Sequence, residues 1–173
     1  MTRPHDQSEE VRTLGLIVDN LVHLWAAFRK RGDQWARSAG LTYNQWQLMA
    51  AASRGPKTVP QLARRMGLAR QTVQRTADQL VKKHLLLYQK NPDHLRSPHV
   101  IVSEKGQETL THIELGMSKS RAHFVQSQGM KIDELKAAET VLRKFREFTD
   151  PKAPLGDTLL YDPPVPGSRR RTA

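Results

Sequence analysis

Leu62-Ala63-Arg64-Arg65-Met66-Gly67-Leu68-Ala69-Arg70-Gln71-Thr72-Val73 decides how this chain folds. Pro60, just upstream, suits the first turn of a helix, where a backbone N–H has no intrahelical partner. Gly67 ends that helix, because glycine enters the left-handed conformation without a Cβ penalty. A second helix is expected over residues 70–83. Val73, Ala77, Leu80 and Val81 form its inner face by helical spacing. Arg70, Gln71, Gln74, Arg75 and Asp78 remain on its outer face.

On the N-terminal side, Thr42 caps a helix expected over residues 43–53, with Trp46, Leu48 and Met49 as its apolar contacts. Arg54-Gly55-Pro56 breaks it, and Lys57-Thr58-Val59 reads as one brief strand. On the C-terminal side the periodicity changes after His84. Residues 85–90 and 98–103 read as strands. Between them lies a polar connection in which Asn91-Pro92-Asp93 is turn chemistry. The pair makes a hairpin with Arg96 at its tip. Helix, helix, glycine turn, helix and hairpin, in that order, is a winged helix-turn-helix over residues 41–106.

The ends of the chain read differently. Residues 1–8 are a polar, flexible start. In the helix of residues 9–40, Leu14, Ile17, Leu21, Leu24 and Phe28 step by alternating threes and fours, a coiled-coil-type seam. Residues 107–150 hold two more helices, with Gly129 as the break between them. The last repeats the seam in Leu135, Ala138, Leu142 and Phe145. Residues 151–173 contain five of the ten prolines and end on Arg169-Arg170-Arg171, which reads as a disordered basic tail. The fold class is therefore mainly α (α+β), with terminal helices whose seams pack on each other or on a second copy.

The chain has 173 residues and a net charge of +11, and the charge is unevenly placed. Residues 1–40 carry +1, residues 41–106 carry +8 and residues 107–173 carry +2. Concentrated positive charge is the footprint of a phosphate backbone, since each neutralised phosphate releases counterions. Cysteine is absent, which excludes disulfides, thiolate metal sites, cysteine nucleophiles and thiol switches. His94, His99, His112 and His123 lack the spacing of a metal site. No catalytic triad and no glycine-rich phosphate loop is present, so neither an enzyme nor a cofactor is expected. No apolar run reaches the roughly 20 residues of a membrane span, and the protein is expected in the cytoplasm without a membrane partner.

These residue types suit double-stranded DNA. A helix with Arg and Gln on its outer face fits the major groove, where Arg pairs with guanine and Gln with adenine. Arg70, Gln71, Thr72, Gln74 and Arg75 are the candidate readers. His94 and Arg96 are the candidate wing contacts, with Arg96 reaching the minor groove. Lys57, Arg64 and Arg65 serve phosphates, which position the protein without specifying a site.

Three segments together resemble the MarR family of transcriptional regulators. They are Leu41-Thr42-Tyr43-Asn44-Gln45-Trp46, the helix-turn-helix quoted above, and the run from Asn91-Pro92-Asp93 to Ser103-Glu104-Lys105-Gly106. The resemblance spans about residues 10–148. It implies a homodimer on a pseudo-palindromic operator, with half-sites roughly 34–36 Å apart. It implies a repressor whose DNA binding is relieved by a small, often aromatic, ligand. Trp25, Phe28 and Tyr43 are then the candidate pocket, and Leu14, Ile17, Leu21, Leu135, Leu142 and Phe145 the dimer contacts. Two positions depart from the pattern. The wing has His94 where the family carries an Asp that holds the wing Arg, which puts the wing's rigidity in question. Ala69 stands where a Ser or Thr often caps the recognition helix. Other functions compatible with the residues are a non-specific architectural DNA-binding protein and a ligand- or protein-binding module without DNA readout.

Overall fold

The computed structural model describes residues 8–149, so the flexible start (save Ser8) and the Pro-rich tail lie outside the described residues. The elements run α1 (Glu9–Ser38), α2 (Tyr43–Ala52), β1 (Lys57–Thr58), α3 (Val59–Met66), α4 (Arg70–Lys82), β2 (Leu86–Gln89), β3 (His99–Val102), α5 (Glu104–Ser127) and α6 (Ile132–Thr149). This is the expected order, including the brief strand before α3.

Local chemistry accounts for most boundaries. Thr42 Oγ1 accepts from the Gln45 N–H at 3.2 Å while Gln45 Oε1 accepts from the Thr42 N–H at 3.1 Å, a reciprocal cap that starts α2. Gly67 ends α3 at φ 62°, and the Leu68 N–H then donates to the Ala63 carbonyl at 3.1 Å. Ala69 precedes α4 with no side-chain cap, as its lack of an oxygen requires. Ser103 ties two elements together. Its Oγ donates to the His84 carbonyl at 2.7 Å and accepts from the Gly106 N–H at 3.0 Å.

The three strands form one antiparallel sheet in the order β1-β3-β2. Leu86 faces Val102 and Gln89 faces His99 across the hairpin, and Lys57 pairs with Val100 on the other edge. Trp46, Leu48, Met49, Leu62, Val73, Leu80, Leu86, Val100, Leu110 and Ile113 are fully buried. At roughly 1.5–3 kcal/mol for each large apolar side chain, this cluster fixes how α2, α3 and α4 sit against the sheet.

The terminal helices divide their labour within each helix. Gly32 and Ala36, near the C-terminal end of α1, are buried, and so are Leu110 and Ile113 of α5. Gly32 lies under the Tyr43 ring and Gly116 under the Trp35 ring, where a Cβ would collide. Those halves clasp the winged core. The rest of α1, and α6 throughout, bury no residue fully.

α1 contains an 18-residue window of mean hydropathy 1.2, so by length and composition it is long and apolar enough to cross a membrane. The length of the helix brings this about, since it joins short apolar clusters into one stretch. Asp19 lies within the helix, between seam residues Ile17 and Leu21. An acidic group at the centre of a span costs about 2.5–3.5 kcal/mol, which favours burial of this seam against protein.

Candidate nucleic-acid interface

α4 presents one face to an open groove whose opposite wall is the wing. Arg70, Gln71, Gln74, Arg75, Asp78, Gln79 and Lys82 line the α4 side, and Arg96, Ser97 and Pro98 line the wing side. The groove measures roughly 770 Å³. Arg70, Gln71, Gln74 and Arg75 recur at helical spacing, so their side chains stack along one stripe. Four cations and one carboxylate therefore converge on one concave surface, a charge balance that attracts polyanions.

Thr72 is exposed at the edge of that stripe, one turn before Arg75, and does not line the groove. Its carbonyl accepts from Thr76 Oγ1 at 2.8 Å. Arg64 is exposed on α3, Arg65 is half-buried, and Lys57 on β1 donates from Nζ to the Arg54 carbonyl at 3.3 Å. These three lie outside the groove lining, around the supporting helix.

Gln74 is not free on the surface. Its Nε2 donates to Asp78 Oδ1 at 2.9 Å and to Tyr88 Oη at 2.7 Å, and Tyr88 Oη donates to Asp78 Oδ1 at 2.6 Å. Partial burial and then the Asp78 carboxylate push the Tyr88 phenol well above its ordinary value, so it stays protonated as a donor. Behind the stripe, Gln45 Nε2 donates to Gln79 Oε1 at 3.2 Å and joins α2 to α4.

The wing is held by a residue the sequence singled out only as turn chemistry. Asn91 is buried, its Nδ2 donates to the Ser97 carbonyl at 3.0 Å, and its Oδ1 accepts from the Asp93 N–H at 3.1 Å. The His94 side chain, exposed, stands outside this brace, while the His94 N–H donates to the Asn91 carbonyl at 3.3 Å. Arg96 is exposed at the groove rim, beside a Leu95 that is 75% exposed. Rigidity that the missing Asp was expected to supply comes instead from Asn91. Tyr88 also went unnoticed. An aromatic on a strand facing a polar helix was the available signal.

The dimer and pocket candidates lie away from the groove. Leu14 and Leu142 are each 42% exposed, and Ile17, Leu21, Leu135 and Phe145 are half-buried. Leu14 and Ile17 border a recess that Val141 of α6 also lines, so the two seams approach one another there. Tyr43 is half-buried, edge-on to Trp46 with ring centroids 5.7 Å apart, and burial raises its phenol pKa. Trp25 and Phe28 are 60% and 64% exposed, so a single chain does not enclose the three in one buried pocket.

Residues 39–97 match the model of the MarR family. An uncharacterized protein of Mycobacterium tuberculosis is 39% identical over 106 residues, covering 61% of this chain and 72% of that protein. The chain belongs to the MarR family. Its winged fold is shared by MarR from Staphylococcus aureus, solved with salicylate and kanamycin, at a TM-score of 0.74 and 15% identity, covering 82% of this chain and 95% of that one. A MarR family protein from Bacillus stearothermophilus matches at a TM-score of 0.70 and 20% identity, over 80% and 96% of the two chains. The MarR family match includes α3, α4 and most of the wing, and the structural matches extend to the terminal helices.

Proposed function

We propose that this MarR-family chain is a homodimeric, sequence-specific regulator of transcription that binds double-stranded DNA and represses by occupying a promoter. The groove between α4 and the wing carries this reading. Arg70, Gln71 and Arg75 stand on the α4 wall opposite Arg96, a cationic surface shaped for the backbone and edges of a duplex. The unburied apolar stripes of α1 and α6 support a second copy as their cover, since a monomer gains nothing from leaving such a face in water. Two wings related by a twofold axis would then meet successive major grooves.

A small aromatic anion is the effector class we propose. The S. aureus relative is solved with salicylate, and Tyr43 lies half-buried between the α1 seam and the winged core. Such a ligand relieves repression only by binding the DNA-incompatible arrangement more tightly.

The test is a competition titration of the full chain against its selected operator and random duplex at two salt concentrations. A preference of about 10³ or more for the operator is expected of a regulator. Equal affinity for both duplexes would identify an architectural DNA-binding protein, and no salt-dependent binding a module without DNA readout.

A further inference from the structure

The tip of the wing carries an apolar side chain that packing within the chain does not explain. Leu95 is 75% exposed. Other large side chains as bare, such as Val22 and Phe28 at 66% and 64%, lie on the terminal helices, among seams that can cover one another or a second copy. Leu95 has no such company. Asp93, His94, Arg96 and Ser97 around it are all polar. One leucine among charges is a poor anchor for a protein surface, since the core of such an interface is depleted of charged residues.

Leu95 is also held in its exposed place. The Ser97 N–H donates to the His94 carbonyl at 2.9 Å, which closes a β-turn with Leu95 and Arg96 at its two central positions. The turn before it is closed by the His94 N–H on the Asn91 carbonyl, and the Asn91 side chain then ties to the Ser97 carbonyl at 3.0 Å. Pro92 within the first turn and Pro98 after the second fix φ on either side. Arg96 lines the groove that faces α4, and Leu95 does not. The apex therefore offers a cation on the groove side and a bare leucine outside it, on a backbone ordered in advance of binding.

We propose that Leu95 enters the minor groove beside Arg96 as an apolar wedge, and that the wing thereby selects sequence by how easily the groove opens. This rests on the DNA-binding function above and adds a specificity-determining residue to it. A B-form minor groove is roughly 6 Å wide, and its edges carry a degenerate hydrogen-bond code. Leucine makes no hydrogen bond there. It gains only by leaving water against sugars and bases, where the stack yields to it. Pyrimidine–purine steps, TA and CA/TG, kink and unstack most readily. Leu95 is thus expected to place such a step under each wing and to bend the duplex at it.

The experiment uses the full chain as wild type, Leu95→Ala and Leu95→Met, each checked for native melting. Each selects duplexes from a randomised library. The wild-type operator, labelled with a fluorophore at each end, is then titrated with each protein at several salt concentrations. The wild type is expected to enrich a pyrimidine–purine step on each flank and to bend the operator by at least about 20°. Leu95→Ala is expected to lose the step preference and the bend. It should also bind about tenfold more weakly at every salt concentration, because the lost contact is apolar and releases no counterions. Leu95→Met keeps the reach and the apolar surface and should behave as the wild type. A Leu95→Ala variant that still selects the step and bends the operator would overturn the inference, whatever its affinity. So would an operator that the wild type leaves straight. Failure of the wild type to enrich any sequence would overturn the DNA-reading function itself, and the inference with it.

Discussion

Asn91 closes the wing on itself by donating from Nδ2 to the Ser97 carbonyl at 3.0 Å, six residues along the chain. The same side chain accepts from the Asp93 N–H, so one buried amide sets both the turn and the return of the hairpin. A wing lacking the expected Asp is thereby kept in one shape. Asn91→Ala is expected to strand the Ser97 carbonyl and the Asp93 N–H, at about 1–3 kcal/mol. Thermal unfolding should show the loss, and operator affinity should fall because Arg96 is no longer held at the groove rim. Unchanged melting and affinity would refute the brace.

Gly106 sits in the first turn of α5 directly against the Leu85 carbonyl and the Val102 side chain. A Cβ there would strike the backbone of the segment leading into β2, which cannot swing aside as a flexible side chain can. Gly106→Ala is expected to destabilise the fold by about 1–3 kcal/mol, the usual cost of overpacking. Gly15→Ala is the control, because a Cβ at Gly15 meets nothing within 4 Å. Denaturant midpoints of the two variants decide the matter, with Gly106→Ala lowered and Gly15→Ala level or raised by helix propensity.

Arg75 stands on the groove stripe free of the clasp that holds Gln74. Arg75→Ala is expected to weaken specific binding by about 1–3 kcal/mol if the guanidinium spans a guanine. Binding to random duplex should change much less. Equal losses on both duplexes would move Arg75 from the base edges to the phosphates.

The winged core was readable because each of its signals is local. Thr42 with Gln45, Pro60, Gly67 and Ser103 mark their boundaries within a few residues, and the alternation of strand and helix periods marks the hairpin. The Gln74–Tyr88–Asp78 clasp was not readable, since fourteen positions separate Gln74 from Tyr88 and the contact exists only once β2 lies beside α4. Asn91 looked like a turn residue, and only burial reveals it as a brace. The division of α1 and α5 into a clasping half and an open half depends on Gly32 and Gly116 meeting aromatic rings from distant segments.

Tyr88 gives the clasp a pH signature. Its phenol pKa is raised in the folded chain, by burial first and by Asp78 second. The unfolded chain releases this proton at about 10. Below that pH both states hold the proton and the contribution to stability is complete. As pH rises past about 10 the unfolded state gains by ionising while the folded state resists, so stability falls toward the raised folded value. Tyr88→Phe lacks the group and should lose less stability over the same alkaline window. Chemical denaturation at neutral and alkaline pH measures the difference, and parallel losses in both proteins would rule the coupling out.

The seam prediction separates assembly from folding. Leu14 on α1 and Leu142 on α6 are each 42% exposed in the single chain, so neither is needed by the winged core. An acidic side chain at either position would keep its hydration in the monomer and lose it in a dimer, where burying an unpaired charge is costly. Leu142→Glu and Leu14→Glu are therefore expected to melt near the wild-type temperature at high dilution yet sediment as monomers where the wild type sediments as a dimer. Operator affinity should fall by roughly a hundredfold, because two reading heads no longer share one effective concentration. Affinity for an isolated half-site should stay at the wild-type level, since α4 and the wing are untouched. A variant that remains dimeric would place the interface elsewhere. One that turns monomeric without losing operator affinity would mean that a single wing reads the site alone.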